Sequence, residues 1–158
     1  MDVHNSVAGI LGAMGLSVLI VAVCVLVHYE ALRLASIYMP KFTIRPRQRI
    51  LLIMGVAFVA HSVEVWLVAV GFFIIAQFPS IGGISAVTGQ FGGSFAEFLY
   101  YSTVSYTSLG IGDLYPTGAL RLLTGVEALV GLAMIAWTGS FTYLAMEKFW
   151  SLHRTRTD

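Results

Sequence analysis

The sequence has one cysteine, little charge and no ladder of arginines. Cys24, the only cysteine, excludes an intrachain disulfide. It lies inside an apolar run, where a thiol packs as a small hydrophobe. Only 11% of the residues are charged and the formal net charge is +1, which gives no sign of a nucleic-acid partner, and none is expected. No arginine recurs at every third position of the first apolar run, so a voltage sensor is not expected. Neither a nucleophile paired with a base nor a cofactor fingerprint is visible, so the expectation is a protein that is not an enzyme and takes no cofactor. The start, Met1-Asp2-Val3-His4-Asn5, lacks a basic n-region, and a cleaved signal peptide is not expected. About eight residues follow Trp150, so a cytoplasmic ligand-binding domain after it is not expected.

What is present is apolar length. Hydrophobic residues make up 58% of the 158, too many for a soluble domain of this size. A bilayer core about 30 Å thick takes roughly 20 apolar residues in a helix. Val7 to Val27 spans without a charge. Ile50 to Phe78 spans with His61 and Glu64 embedded in it, and Gly118 to Trp150 spans with Arg121 and Glu127 in its outer half. The expectation is an all-α membrane protein with three transmembrane helices, in contact with the lipid bilayer.

The cations orient it. Arg33, Lys41, Arg45, Arg47, Arg49, Lys148, Arg154 and Arg156 all fall on one side of the three spans, and only Arg121 falls on the other. The positive-inside rule places that side in the cytoplasm. A plasma (inner) membrane protein with its N-terminus outside and its C-terminus cytoplasmic is therefore expected, with residues 79–116 facing outwards.

Between the second and third spans lies a segment too short to cross. Residues 79–93 carry five glycines and no Lys or Arg, and read as a mobile outer loop. Ser94-Phe95-Ala96-Glu97 fits a capping box. It opens a helix to about Tyr106, roughly 18 Å long at 1.5 Å per residue, enough to reach the midplane. The C-terminal end of that helix carries partial negative charge, favourable to a cation. Irregular backbone at this depth is tolerated only when it is enclosed by protein or lines water. The stretch that follows is Thr107-Ser108-Leu109-Gly110-Ile111-Gly112-Asp113. Two glycines at i and i+2 can take the positive φ that directs successive carbonyls to one side.

This stretch resembles the selectivity filter of the pore-loop potassium channels, whose usual form is Thr-Val-Gly-Tyr-Gly-Asp. The resemblance is strongest from about Phe95 to Trp150. It implies a homotetramer around a central pore, with potassium ions as the permeant species coordinated at Ser108, Leu109, Gly110 and Ile111, and with Thr107 and Gly112 completing the filter. Ser108 keeps the hydroxyl of the family's threonine, Gly110 and Gly112 match its glycines, and Asp113 matches its outer aspartate. Tyr100 and Tyr101 stand where some bacterial members have a Trp-Trp pair bracing the filter from behind. Ile111 replaces the usual aromatic, which removes a hydrogen bond and implies weaker preference for potassium over sodium. Gly131 falls where the family often has a hinge, and Gly139 offers a second flexible point. Close helix packing is the alternative use of both. The implied organisation is an added N-terminal helix and basic loop over 1–49, then a pore domain over 50–150. That domain comprises an outer helix 50–78, an outer loop 79–93, a pore helix 94–106, a filter 107–113 and an inner helix 117–150, and a short tail 151–158 follows. Competing readings are a weakly selective monovalent cation channel, a non-conducting membrane scaffold and an intramembrane metal-binding protein.

The metal-binding alternative rests on ionisable groups within the spans, which are usually paired and functional. His28, Glu30 and Arg33 lie towards the inner end of the first span, and His61 and Glu64 share one face of the second. His28, His61 and Glu64 suit a metal site, a proton relay, a pH sensor or an interhelical polar clamp, with the clamp preferred. Glu30 and Arg33 form an i, i+3 pair. Glu127 either braces the pore helix or faces the second span, and Arg121 suits a local ion pair or an interface anchor.

Overall fold

A computed structural model describes residues 7–78 and 81–149. Trp150, the tail 151–158, the start at Met1–Asn5 and Pro79 lie outside the described residues. The elements in chain order are α1 (Val7–Tyr38), a 3-10 turn at Met39–Lys41, α2 (Pro46–Ile75), β1 (Ile84–Ala86), α3 (Phe95–Tyr106), β2 (Leu114–Pro116) and α4 (Leu120–Phe149). Among the described residues α1, α2 and α4 are long and apolar enough to cross a membrane. Their outward side chains are apolar, with Val18, Phe58 and Leu129 each about seven-tenths exposed, as a lipid-facing surface requires.

The first helix outruns the expected span, reaching Tyr38 rather than Val27. No glycine or proline interrupts Val27 to Met39, and Ala31, Leu32, Leu34 and Ala35 favour helix. Glu30 and Arg33 do not break it because they neutralise each other at the surface, 2.8 Å apart. Pro40 sits in the 3-10 turn that follows. The second helix starts at Pro46, ahead of the expected Ile50. A first-turn proline has no N–H to leave unpaired, and the Gln48 side chain accepts from the Arg45 N–H at 3.0 Å. The same helix stops at Ile75, short of Phe78.

The outer segment differs from the loop expected over 79–93. Ile84–Ala86 pairs antiparallel with Leu114–Pro116, in the register Ile84 to Pro116, Ser85 to Tyr115 and Ala86 to Leu114. Two glycines permit the approach. Gly82 has φ 135°, and a Cβ there would lie 2.2 Å from the Thr117 carbonyl oxygen; Gly118 has φ 58°, and a Cβ there would lie 2.6 Å from the Ile81 carbonyl oxygen and 2.9 Å from the Gly82 Cα. The Thr117 side chain then accepts from the Gly83 N–H and donates to its carbonyl, both at 3.0 Å. Strands of three residues leave no alternation to detect, and glycine argues against strand, which is why the sequence read as loop.

The helix α1 packs on both α2 and α4, and α3 is wedged against α2 and α4. The core holding α3 in place contains Cys24, Val68, Phe72, Phe98, Tyr101, Leu120 and Leu123. Phe72 meets Tyr101 edge-on, with ring centroids 5.2 Å apart. In lipid such close packing and interhelical hydrogen bonds, rather than escape from water, hold helices together.

Candidate functional site

The helix α3 is fixed at both ends. At its start the Ser94 hydroxyl accepts from the Glu97 N–H, while the Glu97 carboxylate accepts from the Ser94 and Gly92 amides at 2.9 and 3.0 Å. Those donors hold the Glu97 carboxyl below the usual glutamate range. At its end Thr107 keeps helical angles and bonds back to Thr103 and Ser105.

Beyond Thr107 the backbone alternates. Ser108, Gly110 and Gly112 have φ of 56°, 56° and 85°, while Leu109 and Ile111 between them do not enter that region. Ser108 is the one non-glycine residue with positive φ among the described residues, a conformation a Cβ disfavours. The turn is tied down by Ser108 N–H to Ser105 carbonyl, 2.9 Å, and Gly110 N–H to Val104 carbonyl, 3.1 Å. Every residue from Thr107 to Asp113 is exposed on the single chain, although α3 immediately before it is largely buried.

Asp113 anchors the far end. Its carboxylate accepts from the Tyr100 hydroxyl at 2.9 Å and from the Leu114 N–H at 3.0 Å. Its carbonyl accepts from Val87 at 2.9 Å and so prolongs the two-stranded ladder. The bond to Asp113 raises the Tyr100 phenol above its ordinary value. Tyr101 does not share this role. Successive helix residues point about 100° apart, and the Tyr101 hydroxyl instead meets Thr124 of α4 at 2.9 Å.

Gly131 of α4 passes against the C-terminus of α3; an added Cβ would stand 2.0 Å from the Tyr106 carbonyl oxygen. Close approach accounts for this glycine. Gly139 has open space around it on the same chain, with nothing within 4 Å of a built Cβ.

The ionisable residues of the spans separate into four places rather than one network. His28, His61 and Glu64 come together. Glu30 and Arg33 stay on the surface as their own pair, because positions two and five past His28 point to other sides of the helix. Glu127 accepts from the Ser102 hydroxyl of α3, whose oxygen also lies 2.9 Å from the Val65 carbonyl. It lines a cavity of about 10 Å³ with Cys24 and Tyr106. Arg121 has no ion pair among the described residues, and its Nε points at the Pro116 carbonyl at 3.4 Å.

The first of these places is a closed circuit. Glu64 Oε1 meets His28 Nδ1 at 2.9 Å, and His28 Nε2 meets the Thr138 hydroxyl at 3.1 Å. Thr138 meets His61 Nε2 at 3.0 Å, and His61 Nδ1 meets the Tyr106 hydroxyl at 2.8 Å. Tyr106 closes the circuit by donating to Glu64 Oε2. All four helices contribute, and His28 and Glu64 are fully buried. Every ring nitrogen thus faces a hydrogen-bonding partner, as a polar clamp requires, while His28, His61 and Glu64 also offer one ligand atom each within 4.8 Å of one another, close enough to hold a metal ion.

The sequence pattern that defines the ion channel family matches residues 50–148, well over half the chain. The chain belongs to the ion channel family. No curated protein and no solved structure matches it. This ion channel is accordingly a transport protein of the membrane and not an enzyme. The match covers α2 to α4 and leaves out α1, the element that supplies His28 to the circuit. Two circuit members, Tyr106 and Thr138, were not among the channel's sequence candidates. Tyr106 carried a signal, since a tyrosine ending a midplane helix needs a partner for its hydroxyl. Thr138 carried none.

Proposed function

We propose that the channel conducts potassium passively through a tetrameric pore in the plasma membrane, with its N-terminus outside and its C-terminus in the cytoplasm. The observation that carries this reading is the alternation of φ over Ser108, Gly110 and Gly112 at the end of a membrane-depth helix. Alternation of this kind lets consecutive carbonyls face one way, where they replace an ion's hydration shell. One strand cannot surround an ion. The seven exposed residues 107–113 are the surface that other copies would cover, and cyclic symmetry closes such an interface. The C-terminal end of α3 adds partial negative charge below the filter. The basic residues at one end of the spans support the orientation.

A weakly selective cation channel is the second reading, and Ile111 favours it. Its side chain is more than half exposed and has no polar atom with which to stiffen the strand.

The test is flux in liposomes with potassium against sodium, alone and with Gly112→Ala. At φ 85° alanine costs about 1–2 kcal/mol, so flux should fall sharply while the protein still assembles. Bi-ionic reversal potentials giving equal permeabilities would reject potassium selectivity. Absence of flux from wild-type vesicles to rubidium and thallium as well would reject the channel reading of this stretch.

A further inference from the structure

The circuit of Glu64, His28, Thr138, His61 and Tyr106 contains five hydrogen bonds, and each needs one hydrogen. Tyr106 and Thr138 supply one hydrogen each. Each neutral imidazole supplies one, and an ionised carboxylate supplies none. That makes four hydrogens for five bonds. With only four, two acceptors must face each other somewhere in the ring, in a buried place where a lost hydrogen bond is costly.

A fifth hydrogen completes the circuit in either of two ways that keep Glu64 ionised. With His61 doubly protonated, it donates to Tyr106 and to Thr138, Thr138 donates to His28, and His28 donates to Glu64. With His28 doubly protonated, it donates to Glu64 and Thr138, Thr138 turns to donate to His61, and His61 donates to Tyr106. In both cases Tyr106 donates to the other Glu64 oxygen, as its geometry shows. The same five hydrogens also fit a protonated Glu64 with two neutral imidazoles. Every complete arrangement has zero net charge, which is the form that membrane depth favours.

We propose that this ring is a binding site for one exchangeable proton per chain, held by the closure of the circuit. A relay through Thr138, which passes its own hydrogen to His28 Nε2 as it takes the one from His61 Nε2, moves the charge between the two histidines without opening the ring. The other ionisable groups near it are Cys24 from α1 and Glu127 from α4, which line one small cavity with Tyr106. Trp137 of α4 covers His28, with ring centroids 5.3 Å apart. Neither Cys24 nor Glu127 hydrogen-bonds to a ring member among the described residues.

The site also bears on conduction, and this part rests on the channel reading. Tyr106 immediately precedes Thr107 at the base of the exposed strand, and its carbonyl lies against Gly131 of the inner helix. Thr138 lies two turns further along that helix. Loss of the proton breaks one bond of the ring and slackens the join between inner helix and strand.

The experiment uses the full-length chain in liposomes, labelled with 15N-histidine and read together with the carboxyl stretch in the infrared, near pH 8. There a free imidazole, with a pKa of about 6.5, is almost wholly neutral. Wild type should show one imidazolium or one protonated carboxyl per chain, assigned by its loss in His28→Gln and His61→Gln. Thr138→Val keeps size and apolar packing but opens the circuit. Its three remaining bonds are satisfied by the hydrogens of Tyr106, His28 and His61, so the signal should be lost or reduced several-fold. Flux should drop several-fold in wild type as the signal disappears at higher pH, and should respond less in Thr138→Val. Two neutral imidazoles with an ionised carboxylate in the wild type would overturn the proposal. So would an undiminished signal in Thr138→Val, or a stoichiometric metal ion on the purified protein. Flux that ignores pH while the spectra titrate would overturn the coupling alone. A protein that conducts nothing would sink the channel reading, and the spectra would still decide the proton.

Discussion

Gly131 and Tyr106 touch backbone to backbone: a Cβ on the glycine would come within 2.0 Å of the tyrosine carbonyl oxygen. That oxygen belongs to the last turn of α3 and cannot rotate aside as a side chain would. Gly131→Ala must push α4 away from α3, and overpacking of this kind costs about 1–3 kcal/mol. Thermal unfolding in detergent should show the loss, together with reduced flux. Gly139→Ala, with nothing within reach of its Cβ on the same chain, should unfold like the wild type. Equal effects of the two substitutions would refute the packing role of Gly131.

Glu64 shares its two oxygens between His28 and Tyr106 inside the bundle. Removing one partner of a buried, hydrogen-bonded pair costs about 3–5 kcal/mol. Glu64→Ala should therefore fall to low yield or unfold early in a chemical denaturation series. Glu30→Ala, which disrupts only the exposed pair with Arg33, should be indistinguishable from wild type. A stable Glu64→Ala protein would show that the circuit is dispensable for the fold.

The cap of α3 gives an acid limit. The Ser94 and Gly92 amides and the Ser94 hydroxyl bond to the Glu97 carboxylate and hold its carboxyl below the usual range. A lowered folded value means the stabilisation is complete above the unfolded value of about 4.3 and disappears as pH falls through the folded value. Protection of the Gly92 and Ser94 amides, measured against their intrinsic exchange rates, should fall on acidification below about pH 4, before the rest of α3 loosens. In Glu97→Ala these amides should exchange rapidly already at neutral pH.

The alkaline limit lies at the other end of the strand. Tyr100 donates to Asp113, and that bond raises the phenol above its ordinary value. A raised folded value means the contribution is present below about pH 10 and is lost as pH rises through the folded value. Tyr100→Phe should show at neutral pH the altered potassium-to-sodium ratio that wild type reaches only in strong alkali. Tyr101→Phe leaves Asp113 untouched, since Tyr101 bonds to Thr124, and should alter stability rather than selectivity. Identical permeability ratios in wild type and Tyr100→Phe would remove Tyr100 from the support of the strand.

Much of this architecture is legible in the sequence because it depends on local chemistry. The three spans follow from apolar length, α3 from the spacing of Ser94 and Glu97, and the positive φ of Gly110 and Gly112 from the glycines themselves. Ser108 breaks the pattern: the resemblance gives it a filter role, but nothing local marks it for φ 56°. The two-stranded sheet escapes because its strands are three residues long and the close approach that flanks them is made by two glycines, Gly82 and Gly118. Helix α1 overruns its expected end because Glu30 and Arg33 look like a boundary and are in fact a self-neutralising pair. The circuit is half legible. His61 and Glu64 share a helix face, but Thr138 is 110 residues from His28, and an uncharged threonine in an apolar helix announces no partner.

The assembly of the circuit from four helices has a consequence for biosynthesis. Ribosomes deliver α1 first, so His28 reaches the translocon before anything it will bond to exists. Glu64 and His61 arrive next, on α2, and a carboxylate entering lipid alone would be expensive. The two helices should therefore leave the insertion machinery as a hairpin, the acid already matched to the imidazole. Thr138 comes last. A ribosome stalled before α4 would leave both histidines with an unmatched nitrogen, and such a fragment should be a substrate for membrane quality control.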